Sequence, residues 1–426
     1  MYVLPDCYNE GIQILTVSSF TLDNSKELKR RESELEWLCG FAEAESMFFI
    51  SNSGTLSFRI KLHRDDRESL VYIKNFLSEL AKREVGIIVD SGADHESYFT
   101  ISKFQDILDI IIPIFTTYYF TTSKFLDFQD FKAAAAIKKS SLLEKRKLTE
   151  EELKNMLKLK IGMNSNRVSF NVNDLPKRSL SPYRLLGFIE GDGTFCIPNM
   201  IPTFAIKQHS KNIHFFYEIA DFLVKLPFNP EIGPKVDNLN TKPTPGISKA
   251  SISTHSLNVS NILQLYNYIL PFFKTLTFKT RKAVDFELWE LAVKLKALGF
   301  TTTPEGRLFF IKINNYINKR YSNRAQIAEV PDIKQIKLLL ESPPLFDLGS
   351  GLSFKALSDL VKVSKKGHSG YGVNVYDNGV LVPGSPFSSY TQAALALGNI
   401  NFSSSISKKI DTDRLFKGRY KFESSI

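Results

Sequence analysis

Cysteine is scarce in this chain: Cys7, Cys39 and Cys196 are its three thiols in 426 residues. They are too few and too far apart for a disulfide framework or a Cys-x-x-Cys zinc site, so a reducing compartment is expected. The six histidines show no His-Glu-x-x-His or comparable metal-ligand spacing. Long apolar runs are missing as well. The most apolar stretch, Ile107 to Phe115, is broken by Asp109 and Pro113 and falls far short of the roughly 20 residues that span a bilayer. A buried core helix is expected there, and no membrane partner. Met1 to Val17 lack both the basic start of a secretory signal and the arginine-rich, acid-poor character of a transit peptide.

What is present suffices for a folded core, with 43% hydrophobic and 23% charged residues, and the length implies several domains. Lysine plus arginine number 55 against 45 acids, a formal charge of +10, which suits a polyanionic partner better than a neutral metabolite.

Two stretches of the chain match each other. Trp37-Leu-Cys-Gly-Phe-Ala-Glu-Ala-Glu-Ser-Met-Phe48 answers Arg184-Leu-Leu-Gly-Phe-Ile-Glu-Gly-Asp-Gly-Thr-Phe195. Downstream, Phe58-Arg-Ile-Lys-Leu-His63 answers Phe204-Ala-Ile-Lys-Gln-His209. Pro113-Ile-Phe115 answers Pro271-Phe-Phe273, and Lys124-x-x-Asp127-Phe128 answers Lys282-x-x-Asp285-Phe286. Order and spacing persist, apart from a longer loop in the second copy, so the chain contains a tandem duplication.

Each copy reads α-β-β-α-β-β-α, an α+β unit with antiparallel strands. Ser33-x-x-Glu36 has the form of a capping box, Ser181-Pro182 that of a cap followed by proline at the first helical position, and Thr149-x-x-Glu152 caps a further helix. In the strand after the first motif, Leu56, Phe58, Ile60 and Leu62 alternate with Ser57, Arg59, Lys61 and His63, giving one core face and one basic face. The expected division is an N-terminal extension (1–30), a first domain (31–161), a polar linker (162–180), a second domain (181–330), a second linker (331–370) and a C-terminal module (371–426). In that module Thr391–Leu397, ended by Gly398, and Ser403–Ile410, capped by serine, have helix-turn-helix punctuation. The closing Leu415–Phe422 segment interleaves basic and aromatic residues.

Gly40 and Ala44, and in the repeat Gly187 and Gly191, sit four residues apart on one helix face. Mid-helix glycine costs about 1 kcal/mol relative to alanine, and close packing of the two motif helices would explain its presence. Glu43, Glu45, Glu190 and Asp192 lie near helix C-termini, where the macrodipole disfavours negative charge, so a cationic partner is expected. If the helices pack side by side, Glu45 and Asp192 come together as hard oxygen ligands for Mg²⁺, an ion that supports phosphodiester hydrolysis.

Leu38-Cys-Gly-Phe-Ala-Glu-Ala-Glu-Ser46 and Leu185-Leu-Gly-Phe-Ile-Glu-Gly-Asp-Gly193 resemble the paired signature motifs of single-chain LAGLIDADG homing endonucleases of the kind encoded by fungal organellar introns. The resemblance covers about Ser33 to Arg324. It implies two saddle-shaped sheets straddling double-stranded DNA, a monomeric enzyme cutting each strand across the minor groove, and a mitochondrial setting. It also implies Glu45 and Asp192 as metal-binding acids and Lys124 and Lys282 as basic active-site residues, with Lys279 an alternative in the second copy. DNA would be read by Ser57, Arg59, Lys61 and His63 in one copy and by Thr203, Lys207 and His209 in the other. The tail from Tyr371 resembles a nuclease-associated modular DNA-binding domain, with Lys408, Lys409 and Arg419 as contacts. Where the family has glycine, copy one has Ser46; without a glycine's left-handed exit from the helix, Glu45 is expected to be misplaced. The alternative this raises is a maturase that binds intron RNA on the same scaffold with weak or no cleavage.

Overall fold

The computed structural model describes residues 31–91, 95–228, 242–318, 329–350, 352, 354–364 and 372–425. The N-terminal extension, Cys7, Arg324 and Tyr371 lie outside the described residues. The chain is α+β with antiparallel sheets, in two compact units bounded at Gly191 and Asp192.

In the first unit, helix α1 (Glu32–Glu45) runs directly into β1 (Ser46–Ile50), followed by β2 (Leu56–His63), α2 (Arg67–Ala81), β3 (Ile87–Asp90) and β4 (Glu96–Ile101). Then come α3 (Lys124–Leu143), α4 (Glu150–Ile161) and α5 (Pro182–Asp192), whose final residue opens the second unit. The four strands pair antiparallel in the order β1-β2-β4-β3. The second unit repeats the plan with β5 (Gly193–Cys196), β6 (Thr203–His209), α6 (Ile213–Val224), β7 (Gly246–Lys249), β8 (Thr254–Val259) and α7 (Lys282–Ala297), its sheet in the order β5-β6-β8-β7. Among the described residues no helix is long and apolar enough to cross a membrane.

Each copy is built on an aromatic hub. Phe48 lies 5.0–6.0 Å, ring centre to ring centre, from Phe58, Phe115, Phe120, Phe128 and Phe131. In the second copy Phe195 stands among Phe204, Phe273, Phe278, Phe286 and Trp289 at 5.1–6.0 Å. The hub residue lies three positions after the acid of each motif, so packing of large rings pins the chain where the motif helix ends.

The motif helices touch backbone to backbone within the first unit. A Cβ on Gly40 would overlap the Arg184 carbonyl and come within 2.9 Å of the Phe188 nitrogen; one on Gly187 would overlap the Trp37 carbonyl and come within 2.8 Å of the Phe41 nitrogen. At the end of the pair, a Cβ on Gly191 would strike the Ala44 methyl and lie 3.0 Å from Glu45 Cγ. Gly187→Ala is therefore expected to lower stability by about 1–3 kcal/mol, because only a shift of backbone relieves the overlap. Thermal melting checks this, and an unchanged midpoint would show that the contact yields freely.

Two expectations are corrected and one capping box forms as expected. The Ser33–Glu36 capping box does not form: α1 opens at Glu32 with no side-chain cap. Glu36 is buried instead, bonded by the Arg178 guanidinium and, at 3.3 Å, the Ser181 hydroxyl. The Thr149–Glu152 box does form, with both reciprocal bonds. The region 331–370 is not all linker, for helix α9 (Ile333–Leu340) buries Ile336, Phe346 packs on Gly299, and helix α10 (Phe354–Ser364) buries Leu357.

The C-terminal module is more than two helices. Helices α11 (Tyr390–Ala396) and α12 (Ser403–Lys409) pack with a three-stranded sheet of β9 (Gly372–Asp377), β10 (Val380–Leu381) and β11 (Tyr420–Ser425). Ser389 caps α11, whereas α12 follows a turn capped by Asn399 and has no serine cap of its own. The basic and aromatic alternation of Tyr420–Phe422 is thus a strand paired to β9. The core of Val373, Val375, Ala393, Ala394, Ile406, Ile410 and Phe422 also takes in Ile311, from helix α8 (Pro304–Tyr316), which ties the module to the body of its unit.

Candidate functional site

Glu45 and Asp192 are each the last residue of a motif helix, and each is half-buried. The chain leaves α1 through Ser46 at φ −90 and ψ 161, extended rather than left-handed. The expectation that serine here distorts the helix end is therefore corrected: the exit requires no glycine. Ser46 Oγ instead donates a 2.6 Å hydrogen bond to the Ala42 carbonyl, which also accepts from the Ser46 backbone N–H.

Beside each acid a lysine is docked on backbone oxygen. Lys124, the first residue of α3, donates to the Ala42 carbonyl at 2.9 Å and to the carbonyl of Ser46. Lys282, the first residue of α7, donates to the Gly193 carbonyl at 2.6 Å. Each ammonium sits at a helix C-terminus, where the dipole favours a cation, one residue past the acid. Asp127 and Phe128 of the same motif serve other ends: Phe128 enters the hub, and buried Asp127 accepts from the Asn164 nitrogen at 3.0 Å and from Arg167 at 2.9 Å.

The other motif acids are internal. Glu43 accepts from the Thr121 and Thr122 nitrogens at 2.7 and 2.8 Å and from Arg184 at 2.5 Å, both charged groups being almost wholly buried. At the matching place in the repeat, Glu190 accepts from Trp37 Nε1 at 2.5 Å. Trp37 and Arg184 are repeat equivalents, so each motif helix donates from the same position to the other's glutamate. The expected cationic partner is thus present for Glu43, and its counterpart for Glu190 is an indole N–H. Cys39, between these groups, donates to the Tyr118 carbonyl at 2.9 Å, and burial pushes its thiol up to about 12, which keeps it an inert core group.

Gln208 is a site residue that the sequence reading did not single out. Its side-chain amide donates to Asp192 Oδ2, while the equivalent place in the first copy holds Leu62. The break in the repeat between Leu62 and Gln208 was the available signal.

The strand faces differ from strict alternation at their inner ends. Arg59, Lys61, Lys207 and His209 are accessible, but Ser57 and Thr203 are buried. Ser57 Oγ accepts from Arg59 Nε at 3.0 Å, and the arginine lies over the Phe49 ring at 4.4 Å, so Ser57 orients the arginine rather than facing outward. His63 and His209 each use Nδ1 to accept a 3.2 Å bond from the backbone two residues on, capping a short turn. In the C-terminal module Arg419 is engaged by Asp377, with Nε 2.7 Å from Oδ1, and Lys409 by the Leu415 carbonyl at 2.6 Å. Lys408, Arg414 and Lys417 are exposed.

Among the described residues no three of His, Cys, Asp and Glu come together as a metal cage, which argues against a closed zinc-type site built from them. One half-buried carboxylate per motif helix suits Mg²⁺ better, because that ion keeps several waters and shares its shell with substrate phosphate.

A family model described as LAGLIDADG endonuclease matches the chain twice, over residues 38–135 and 185–293. The chain is 24% identical over 335 residues to an uncharacterized mitochondrial protein, RF1, of Saccharomyces cerevisiae, covering 73% of this chain and 66% of that one, or about two thirds of the relative's length. It is 26% identical over 305 residues to a probable intron-encoded endonuclease, Cox1-I1b, of Schizosaccharomyces pombe, covering 68% and 71%. A solved structure of I-SmaMI bound to uncleaved DNA target with calcium ions matches at 21% identity and a TM-score of 0.52, over 66% of this chain and 97% of that one. I-GzeII in complex with DNA target matches at 23% and 0.53, over 68% and 99%. At these identities the solved structures speak for the fold.

Proposed function

Because this chain belongs to the LAGLIDADG endonuclease family, with both motifs in one polypeptide, we propose that it is a monomeric, site-specific DNA endonuclease of mitochondria that hydrolyses phosphodiesters with Mg²⁺ held by Glu45 and Asp192. The observation that carries this reading is the repeated pairing of a helix-terminal acid with a docked lysine, Glu45 with Lys124 and Asp192 with Lys282. A bound divalent ion supplies an activated water and neutralises charge on the phosphate. Lys124 and Lys282 present ammonium groups to charge developing on the scissile phosphates. Gln208 holds one Asp192 oxygen and thereby orients the carboxylate. Glu43, paired with Arg184, sets the helix geometry.

Incubation with Mg²⁺ and DNA spanning the intronless insertion site tests the reading. A staggered double-strand cut is expected; binding of intron RNA with no DNA cut would give the scaffold to the maturase alternative. The regular exit through Ser46 favours cleavage.

For the C-terminal module we propose an auxiliary DNA contact through exposed Lys408 and Arg414. Each phosphate contact contributes nearly one unit to the log-log salt slope, so Lys408→Gln with Arg414→Gln should lower the slope by about 2 while the cut position stays unchanged. Salt titrations of binding decide it, and an unchanged slope would reduce the module to a packing element.

A further inference from the structure

Directly opposed residues in an antiparallel sheet share a face, so the register lays out rows across the basic side of the first unit's sheet. One row is Met47, Arg59, Thr100 and Ile87; the next is Lys61, Tyr98 and Val89. Both rows end on the edge strand β3 in a β-branched aliphatic side chain, Ile87 at 57% and Val89 at 52% exposure. Glu96, on the same face, holds Lys61 at 2.8 Å. Exposed aliphatic pairs on an edge strand invite association with other chains and are ordinarily replaced by charge, so their presence needs an occupant. In the second unit the corresponding rows are Thr194, Ala205, Asn258 and Gly246, then Lys207, Ser256 and Ser248. The places of Ile87 and Val89 are there taken by glycine and serine.

Resting on the endonuclease reading above, we infer that Ile87 and Val89 read thymine 5-methyl groups in the major groove of the half-site bound by the first unit. The chemistry fits the rows. Arg59 and Lys61 bring cationic donors suited to phosphate and guanine edges, and the 5-methyl of thymine is the one apolar group that the major groove displays. The spacing fits as well. Residues two apart on a strand are about 6.6 Å apart, close to two base steps at roughly 3.4 Å each, so the two thymines lie two steps apart. The second half-site, facing Gly246 and Ser248, carries no such methyl requirement at the matching positions.

The test begins by selecting duplexes from a randomised pool with the full chain in Ca²⁺, which separates binding from cutting. If no sequence is enriched, the endonuclease reading itself fails. If a sequence is enriched, it is remade with deoxyuridine for thymidine in one half-site at a time, which removes the methyl groups and leaves the pairing intact. Substitution in one half should weaken binding by about fourfold per methyl, and substitution in the other half should leave these positions silent. Ile87→Ser with Val89→Ser should bind thymine and uracil duplexes equally while its melting temperature stays that of the parent, since both side chains are exposed. An enriched site indifferent to uracil in both halves would overturn the inference, as would retained discrimination in the double variant.

Discussion

Glu45→Gln or Asp192→Asn is expected to lower double-strand cleavage by about two to three orders of magnitude while DNA binding persists. Each substitution keeps the shape and removes the charge that holds a hard cation. Both residues are half-buried and each replacement has the same shape, so melting temperature should move little. Ca²⁺ in place of Mg²⁺ should reproduce the variants' behaviour, with a bound but intact duplex. Gel separation of nicked from linear plasmid distinguishes cutting of one strand from cutting of both. Full double-strand cutting by the Glu45→Gln, Asp192→Asn double variant would remove both acids from the mechanism.

The second large effect is on stability. Arg184 is 1% exposed and Glu43 4%, and removing one member of a buried pair leaves the other charge stranded, at a cost of about 3–5 kcal/mol. Arg184→Met should therefore lower the urea midpoint strongly. Adding Glu43→Gln should restore part of the loss, because the amide oxygen still accepts from the Thr121 and Thr122 nitrogens while neither charge of the pair is left stranded. If the two losses simply add, the pair is not coupled.

Much of this molecule is local in origin and is legible in the chain. The alternation of Leu56 to His63 made a strand because each side chain there answers to one face, and Thr149-x-x-Glu152 made a capping box because all its bonds lie within four residues. The acids, the lysines and the small residues of the motif helices were visible through the duplication, since a pattern met twice in the same order is hard to obtain by chance. The C-terminal hairpin is local as well: Asn378-Gly379, both with positive φ, is the residue pair that a tight type I′ turn prefers.

What only the tertiary structure decided are contacts between residues far apart in the chain. Glu36 would cap its own helix by local rules, yet Arg178 draws it inward from 142 residues away, and a buried charge–charge contact outweighs an exposed cap. Arg184 reaches Glu43 and Trp37 reaches Glu190 because two glycines let the helix backbones meet, a geometry that no periodicity encodes. Gln208 reaches Asp192 because the pairing of β5 with β6 folds the second strand back beside the end of the helix. Ser46 leaves its helix in an extended conformation because β1 begins at that very residue and pairs at once with Ile60, so the sheet, not the side chain after the acid, sets the direction of exit.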